Sequence, residues 1–377
     1  MNKLLSCTLL ITLLTLVINT NVALGQNNQK EYLVEFDGNV EHGLLKAFGV
    51  KDKELLHTYK TLPVSLVSLT DPQFKALSKH PKVKFIEPNT KVKTMGEVVP
   101  WGITHVQATD TYNSGYAGEG IKVAILDTGI DSSHEDLNIK GGYSVFDNLE
   151  NINPFTDALG HGTHVAGIIG AVPNNVGVVG IAPQAEIHSI KVIDNNGDGT
   201  YAGIIKGIEW ALNNQMDIIN ISLGGTQESS ILKEWVDLAY SKGTLIVAAA
   251  GNEGKAKGKG NTVTYPARFE SVIAVSAVNS KNKYIDFSST GSSVEVSAPG
   301  TNIYSTIPGN NYTAYEGTSS ASPHVAGIAA LVWSTNPELS NKEVRQILRE
   351  TAINLGKHEQ YGYGLVQGLD AVMRALP

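Results

Sequence analysis

Three short segments of this 377-residue chain place an acid, a base and a nucleophile beside predicted strand ends or helix starts. Asp127 ends the apolar run VAIL, His161 lies in GHGTHVAG, and Ser319 lies in EGTSSASPHVAG. A carboxylate can orient an imidazole, and that imidazole can take the proton of a hydroxyl and so make it nucleophilic. Together the three segments indicate acyl transfer by a serine nucleophile.

Two of these segments also have plainer interpretations. An Asp after a strand, whether Asp127 or its neighbour Asp131, is often a turn former. A Ser-rich string such as Ser319, Ser320 and Ser322 is often a helix cap. A helix would turn Ser320 and Ser322 away from Ser319, which keeps Ser319 as the candidate nucleophile.

A proline and two glycines describe the surroundings of the candidate nucleophile and base. Because proline fits only near the first turn of a helix, Pro323 predicts that a helix starts close to Ser319. The amino end of that helix presents unpaired N–H groups, which can stabilise an oxyanion. Gly160 and Gly162 leave room for a substrate beside His161.

His161 and His164 have the HxxH spacing of some metal sites, so a metal-dependent hydrolase is a second enzyme class to consider. The zinc-protease motif HExxH needs a glutamate that this segment lacks, and the sequence offers no obvious third ligand. We therefore expect His164 to pack along the helix as a structural residue. A degenerate protease that only binds peptides is the non-enzymatic alternative.

The segments between these residues predict an α/β domain over residues 96–377. Apolar runs predict strands at 121–126, 185–193, 217–223, 244–250 and 271–277, with helices such as HVAGIIGA and YAGIIKGIEWALNN between them. Runs that are apolar throughout are typical of a parallel sheet buried on both faces. Sites in such folds lie at the carboxyl ends of strands, where Asp127 is predicted to lie.

A second, smaller unit is predicted over residues 26–95. The order of strand and helix patterns between residues 31 and 88 fits a β-α-β-β-α-β domain of α+β, ferredoxin-like type. The segment NTKVKTMGE that follows is typical of a linker open to proteolysis.

Residues 1–25 have the pattern of a secretory signal peptide. Lys3 precedes an apolar run from Leu4 to Val17, and small residues follow up to Gly25. This predicts cleavage after Gly25 and a secreted, extracellular product. The apolar run is too short for a stable membrane span, so we expect no lasting membrane association.

Charge and cysteine content distinguish the two units. Residues 1–95 contain 12 Lys and 8 acidic residues, and the rest contain 17 Lys plus Arg and 28 acidic residues, giving net charges of +4 and −11. Opposite charges suggest that the units attract each other, and an acidic body without a basic stripe argues against nucleic-acid binding. The single cysteine, Cys7, lies in the predicted signal peptide, so the exported product should contain no disulfide.

The strings DTGID, HGTHVAG, SLGG, AAAGNEG and GTSSASPHVAG, in that order, resemble the subtilisin family of serine proteases, the subtilases. The resemblance covers nearly all of residues 96–377, and residues 31–95 resemble the propeptide of that family. It implies a three-layer fold with a mainly parallel sheet and a monomeric, secreted endopeptidase of broad, apolar specificity. It also implies that the propeptide is an intramolecular chaperone and inhibitor, removed by self-cleavage after Met95 with Val92 and Met95 filling two substrate pockets.

The resemblance also implies a role for each matching residue of the catalytic centre. Ser319 attacks the peptide carbonyl, His161 is the general base and then the general acid, and Asp127 orients the imidazole. The Asn252 side chain and the Ser319 backbone N–H donate to the oxyanion, with help from the Thr318 hydroxyl.

Further matching residues are implied to bind the extended substrate. The edge segments on either side of the peptide are Ser222, Leu223 and Gly224, and Gly197, Asp198 and Gly199. Tyr201 and Ile204 form the pocket for the fourth residue before the cut. Thr264 lies at the floor of the primary pocket. Ordinary helix packing is the alternative for the fourth-residue pocket. Thr264 stands where the family commonly has Gly, and Ser320 stands where it often has Met, while the Lys-rich loop KAKGKGN is one residue longer than usual.

Calcium is the cofactor that the resemblance implies. Its ligands would be side-chain or backbone oxygens, a set that suits this hard cation, from Glu97, Asp136, Val172, Asn174, Val176 and Val178. Glu97 stands where the family usually has an amide, and Pro173 is also atypical, so the ligand geometry here could differ. A plain glycine-containing loop is the alternative interpretation of residues 172–178.

Overall fold

The computed structural model describes residues 29–90 and 96–377, and the chain divides into two compact units, residues 1–94 and 95–377, which we describe separately. The predicted signal peptide and the predicted processing residues Val92 and Met95 lie outside the described residues. Within the two described ranges, no helix is long and apolar enough to cross a membrane.

The small unit is an antiparallel sheet with two helices, in the predicted α+β order. Its elements are β1 (Lys30–Phe36), α1 (His42–Ala47), a 3-10 turn (Asp52–Glu54), β2 (Leu55–Thr58), β3 (Val64–Leu69), α2 (Asp71–Leu77) and β4 (Val83–Pro88). The strand order is β2-β3-β1-β4. Every second residue of the central strands is buried, including Val34 on β1 and Val67 on β3, because one face of the sheet forms the core with the helices.

The large unit contains eighteen further elements within the described residues. They are α3 (Trp101–His105), α4 (Ala108–Asn113), β5 (Lys122–Asp127), β6 (Ile139–Ser144), α5 (His161–Gly170), β7 (Glu186–Lys191), α6 (Tyr201–Asn213), β8 (Ile218–Ile221), α7 (Ser230–Ser241), β9 (Leu245–Ala249), β10 (Val272–Val278), β11 (Val294–Pro299), β12 (Ile303–Ile307), β13 (Asn311–Tyr315), α8 (Thr318–Thr335), α9 (Asn341–Glu350), α10 (His358–Tyr361) and α11 (Gly368–Ala375).

A seven-stranded parallel sheet, in the order β11-β10-β9-β8-β5-β7-β6, forms the centre of this unit. Residues of α5 and α8, such as Val165 and Val325, belong to a core cluster on one face, whereas residues of α6 and α7, such as Ile208 and Val236, belong to a second cluster. The predicted α/β class with a buried, mainly parallel sheet is confirmed.

The helix that carries Ser319 begins where predicted, but Pro323 does not lie in its first turn. Helix α8 does begin beside Ser319, at Thr318, but Pro323 lies inside the helix rather than in its first turn. A proline has no N–H for the carbonyl four residues earlier, here that of Ser319. That carbonyl instead accepts a hydrogen bond of 3.0 Å from Ser222 Oγ. A side chain at the end of β8 thus makes the interior proline tolerable.

Candidate active site

The carboxylate and the imidazole predicted to act together are in contact. Asp127 is the last residue of β5 and is 1% exposed, and His161 is the first residue of α5. The distance from His161 Nδ1 to Asp127 Oδ1 is 2.7 Å, and the same oxygen accepts the N–H of Thr128 at 2.8 Å. When Nδ1–H donates to the carboxylate, Nε2 carries the lone pair and can take a proton.

The environment favours the charged form of His161. Burial lowers the pKa of the imidazole, but the charge of Asp127 and its hydrogen bond raise it, and Asp157 raises it further. The net pKa of His161 lies above the ordinary histidine value. The imidazolium that forms when His161 accepts a proton is therefore stabilised.

Ser319 differs from its serine neighbours in exposure. It is half-buried as the second residue of α8, whereas Ser320 is 2% exposed and Ser322 is fully buried. Ser322 Oγ is also bonded to Ser222 Oγ, at 2.8 Å. Between the described side chains of Ser319 and His161 there is no hydrogen bond, a link that is often long in free enzymes and tightens with substrate.

Two donors and the Ser319 hydroxyl surround the space beside Gly317. A Cβ atom added to Gly317 would lie 3.0 Å from Ser319 Oγ, 3.3 Å from Asn252 Nδ2 and 3.6 Å from the Ser319 backbone N. Gly317 has a φ of 146°, so the position favours glycine. This open space can accept a negatively charged oxygen between two N–H donors.

The Thr318 hydroxyl, predicted to assist at the oxyanion, is directed at Asn252 in this structure. Thr318 Oγ1 donates to Asn252 Oδ1 at 3.0 Å, and it accepts the N–H of Gly251 at 3.1 Å. Because a hydroxyl has one proton, it does not donate to an anion while it makes this bond. The Thr318 backbone N–H also donates to Asn252 Oδ1 at 3.0 Å, so Thr318 orients Asn252 instead.

The two oxyanion donors, the Asn252 side chain and the Ser319 N–H, lie in segments that differ in exposure. Asn252 is exposed and precedes a loop, residues 255–260, whose lysines are also exposed, whereas α8 is buried along most of its length. Hydrogen bonds hold the loop: Thr290 Oγ1 donates to the Gly260 carbonyl at 3.0 Å, and Gln360 donates to the Lys257 carbonyl at 3.1 Å.

Most of the predicted substrate-binding residues line one cleft of about 530 Å³. The members from the predicted set are Gly197, Asp198, Gly199, Tyr201, Ile204, Leu223 and Gly224. Tyr201 is held across the cleft by a hydrogen bond of 2.6 Å from its hydroxyl to the Gln227 carbonyl. Ser222 precedes this group, and its side chain supports α8 rather than lining the cleft.

Thr264 lies against two glycines, Gly224 and Gly251. Its side chain is buried, and Oγ1 donates to the Ala250 carbonyl at 3.2 Å. A Cβ atom on Gly224 would lie 2.9 Å from Thr264 Oγ1, and one on Gly251 would lie 2.8 Å from Thr264 Cγ2 and 2.6 Å from Glu253 Oε2. Glu253, next to Asn252, therefore also lies close to Gly251.

The predicted calcium residues are brought together around the loop 172–178. Asp136 is fully buried, and its carboxylate accepts the Val178 N–H at 2.8 Å and Asn174 Nδ2 at 2.9 Å. Glu97 Oε1 accepts the N–H groups of Asn174 and Asn175 at 2.8 and 3.2 Å.

This set fits a hard cation in its chemistry. Among the described residues neither Asp136 nor Glu97 forms a salt bridge, so a buried carboxylate there lacks a protein counter-charge. The described residues contain no group of three His, Cys, Asp or Glu side chains arranged for a metal. The predicted calcium ligands include only two carboxylates, and the other ligands would be amide and backbone oxygens. Mixed oxygen ligands are what calcium accepts.

The rival residues have other partners. Asp131 accepts the N–H and hydroxyl of Ser133 and the N–H of Gly309, as a turn former does. His164 is buried, with Nε2 2.9 Å from the Ile303 carbonyl, and burial lowers its pKa to about 4. The ring stacks on Tyr315 at 4.4 Å, which is the structural packing expected of His164.

Asp157 is a charged residue of the site that the sequence argument missed. It is 6% exposed and lies four residues before His161 in the segment DALGHG. An Asp shortly before a predicted helix was an available signal, because such residues often bond the free N–H groups of the first turn.

A parallel α/β sheet, a carboxylate–imidazole pair at a strand end, a half-exposed serine at a helix start and two converging N–H donors define a hydrolase of the serine type. Comparison with protein families agrees: residues 118–364 match the subtilase family of peptidases, and residues 25–95 match peptidase inhibitor I9. The chain belongs to the subtilase family and is a serine endopeptidase with an I9 propeptide domain.

Individual relatives align over almost the whole chain. Subtilisin E of Bacillus subtilis is 43% identical over 95% of this chain and 94% of its own length. The thermostable alkaline protease of Halalkalibacterium halodurans is 43% identical over 95% of this chain and 96% of its own length. The M-protease of Shouchella clausii is 43% identical over 91% of this chain and 89% of its own length.

Proposed function

We propose that this chain hydrolyses peptide bonds in proteins and peptides through an acyl-enzyme on Ser319, with His161 as base and Asp127 as its orienting partner. The 2.7 Å contact between His161 Nδ1 and Asp127 Oδ1 carries the proposal, because it leaves Nε2 free to take the Ser319 proton. The imidazolium then gives that proton to the leaving amine. Water attacks the acyl-enzyme in the second step, again with His161 as base.

In this proposal, the negative oxygen of the tetrahedral intermediate occupies the space beside Gly317. Asn252 Nδ2 and the Ser319 N–H are its donors, and both face that space. Thr318 keeps the Asn252 amide turned in the productive direction by holding its Oδ1. Each such donor contributes about 3–4 kcal/mol to transition-state stabilisation in enzymes of this kind.

The extended substrate binds between two backbone segments, residues 197–199 and 222–224, as an added strand. Tyr201 and Ile204 line the same cleft and suit an apolar side chain at the fourth residue before the cut. Thr264 narrows the primary pocket beside Gly224 and Gly251, which disfavours the largest aromatic side chains. Broad specificity with an apolar preference follows.

We further propose that the chain is exported by its first 25 residues and matures by cutting itself after Met95. The match of residues 25–95 to an inhibitor family supports a propeptide that blocks the enzyme until it is removed. The mature enzyme acts outside the cell as a monomer.

Bound calcium would join the loop 172–178 to Asp136 and Glu97 as a structural crosslink. In matured, inhibitor-blocked enzyme, removal of calcium by a chelator should lower the midpoint of thermal unfolding by about 5–10 °C. Glu97→Gln should reduce that shift, while Glu119→Gln, which changes an exposed carboxylate elsewhere, should not. A midpoint that does not respond to calcium removes this site from the proposal.

The central test is cleavage of a peptide library by purified wild-type protein and by Ser319→Ala. We expect cleavage by the wild type that a serine-directed covalent inhibitor abolishes, and a loss of roughly 10⁶ in kcat for the variant, the magnitude known for subtilisin. Intact mass should show wild-type chains cut after Met95 and Ser319→Ala chains uncut. Activity that resists the inhibitor would favour the metal-dependent hydrolase, and binding without cleavage would favour a degenerate protease.

A further inference from the structure

The Asp157 carboxylate is the most heavily hydrogen-bonded acid beside the catalytic residues. Its Oδ1 accepts from Thr128 Oγ1 at 2.8 Å, the Gly160 N–H at 2.8 Å and the Leu159 N–H at 3.2 Å. Its Oδ2 accepts from the N–H and the hydroxyl of Thr163 at 2.8 and 2.7 Å. Five donors on a buried carboxylate fix its position.

These bonds join the element that carries the acid to the element that carries the base. Thr128 directly follows Asp127, and its hydroxyl, while donating to Asp157, accepts the N–H of Gly162 at 2.9 Å. Gly162 and Thr163 are the residues after His161 in the first turn of α5. The free N–H groups and the dipole of that turn both favour a negative charge at this end of the helix.

The charged groups around His161 come from several elements. Asp127 lies on β5, Asp157 lies in the loop before α5, and His164 lies one turn further along α5. Lys191 on β7 is fully buried and donates through Nζ to the Thr128 carbonyl. Burial lowers the pKa of Lys191, and the charges of Asp157, Asp194 and Asp127 offset only part of that effect. Two buried carboxylates, Asp127 and Asp157, thus lie near one buried lysine, so a positive charge on the imidazole is compensated by negative charge.

We propose that Asp157 is a positioning residue for catalysis: it locks the first turn of α5 to the end of β5, so that His161 faces Asp127, and its negative charge stabilises the imidazolium. The inference rests on the proposed function, in which His161 becomes protonated during turnover. It adds a second carboxylate to the acid–base side of the site, one that touches neither the substrate nor the imidazole.

The test follows the protonation of His161 by NMR in full-length Ser319→Ala protein, with and without Asp157→Asn, so that the readout does not require activity. The His161 signal is identified by its loss in His161→Gln. Asp157→Asn should lower the pKa of His161 by about half a unit or more, because a neighbouring negative charge is lost. Asp147→Asn, an exposed carboxylate earlier in the same segment, should leave that pKa unchanged.

Kinetics of the otherwise wild-type enzyme supply the second readout. Asp157→Asn should lower kcat by about 10- to 100-fold, with KM nearly constant, because the base is misplaced relative to Ser319. The acidic limb of kcat/KM should move to lower pH by the shift that NMR reports. A folded Asp157→Asn protein with the wild-type pKa of His161 overturns the proposal, whether or not kcat falls.

If Asp157→Asn does not fold, Asp157→Glu tests the positioning role instead. It keeps the charge but displaces the hydrogen bonds, so we expect a pKa of His161 close to that of the wild type and a reduced kcat. An unchanged kcat in Asp157→Glu overturns the positioning role. A wild-type protein that cleaves no peptide would refute the proposed function alone, because the NMR comparison would still report whether Asp157 acts on His161.

Discussion

The acid–base half of the site and the nucleophile half are held by different kinds of interaction. Around His161 the structure places two buried carboxylates, Asp127 and Asp157, and many charge-assisted hydrogen bonds. Around Ser319 the contacts are neutral, and the decisive feature is the space that Gly317 leaves between Asn252 Nδ2 and the serine. The first half depends on charge and the second on orientation and room. Substitutions that change charge without changing shape should therefore separate them.

Asp127→Asn should produce the largest effect on the charged half. The amide is nearly the same shape but can favour the wrong imidazole tautomer, and the corresponding change in another serine protease costs about 10⁴ in kcat. Since Asp127 raises the pKa of His161, wild-type kcat/KM should reach half its plateau above the ordinary imidazole pKa of about 6.5. Residual activity of the variant should reach half its plateau at lower pH, measured from pH–rate profiles.

The control for this experiment is Asp131→Asn, because the Asp131 carboxylate accepts, among the described residues, only from Ser133 and from the N–H of Gly309. It should keep kcat within a few-fold of the wild type. A loss of less than tenfold in Asp127→Asn would show that charge is not what this half of the site supplies.

Asn252→Ala tests the neutral half and should have the next largest effect. Removal of one oxyanion donor costs about 10²–10³ in kcat in subtilisin, with the effect on the transition state rather than on substrate binding. KM and the pH profile should therefore change little, in contrast to Asp127→Asn. Asn213→Ala, which removes an exposed amide at the end of α6, is the matched control and should be neutral. A shifted pH profile in Asn252→Ala would contradict the division into two halves.

Thr264→Gly examines room at the pocket rather than at the oxyanion. It removes the side chain that lies against Gly224 and Gly251. The ratio of kcat/KM for Phe over Leu substrates should rise about tenfold, the scale of a few methyl groups in an apolar pocket. Thr264→Ser, which removes one methyl, should give an intermediate ratio. Equal ratios in all three enzymes would mean that Thr264 does not limit the pocket.

Peroxide should have the smallest effect. Oxidation of a methionine beside the nucleophile creates a bulky polar sulfoxide, but here the buried Ser320 occupies that position. The wild type should keep nearly full activity at peroxide concentrations that inactivate Ser320→Met. Equal inactivation rates for the two enzymes would mean that the residue after Ser319 does not determine sensitivity to peroxide.

The sequence could predict the sheet because its strands are apolar on both faces. The predicted runs 121–126, 185–193, 217–223, 244–250 and 271–277 coincide with β5, β7, β8, β9 and β10 to within a few residues. Strand β11 was not predictable in this way, because its Glu295 is buried only through pairing with Arg345 and Arg349 at 2.5–2.8 Å. Such long-range pairs leave no local pattern. The Gly-rich edge strand β6 likewise has no apolar run.

For the site, the sequence indicated which residue types meet but not which hydrogen bonds they use. Asp127, His161, Ser319 and Asn252 stand in recognisable strings, so their meeting could be anticipated. The direction of the Thr318 hydroxyl could not be anticipated, since it depends on how the Asn252 side-chain amide is oriented in the folded protein. The sequence argument did not connect Asp157 with Asp127, because the donor that links them, Thr128 Oγ1, becomes its neighbour only when β5 and α5 pack together.

Helix α8 is deeply buried, whereas the Lys-rich loop 255–260 is exposed. This contrast affects how the concentration of active enzyme would be measured. Autolysis should begin at that loop, since exposed Gly-containing loops are cut first. A nicked molecule would retain Ser319 on an intact helix, while the backbone that follows Asn252 would be released and its amide less firmly placed. Active-site titration with a covalent serine reagent would then report more sites than turnover does, and the difference would grow with storage.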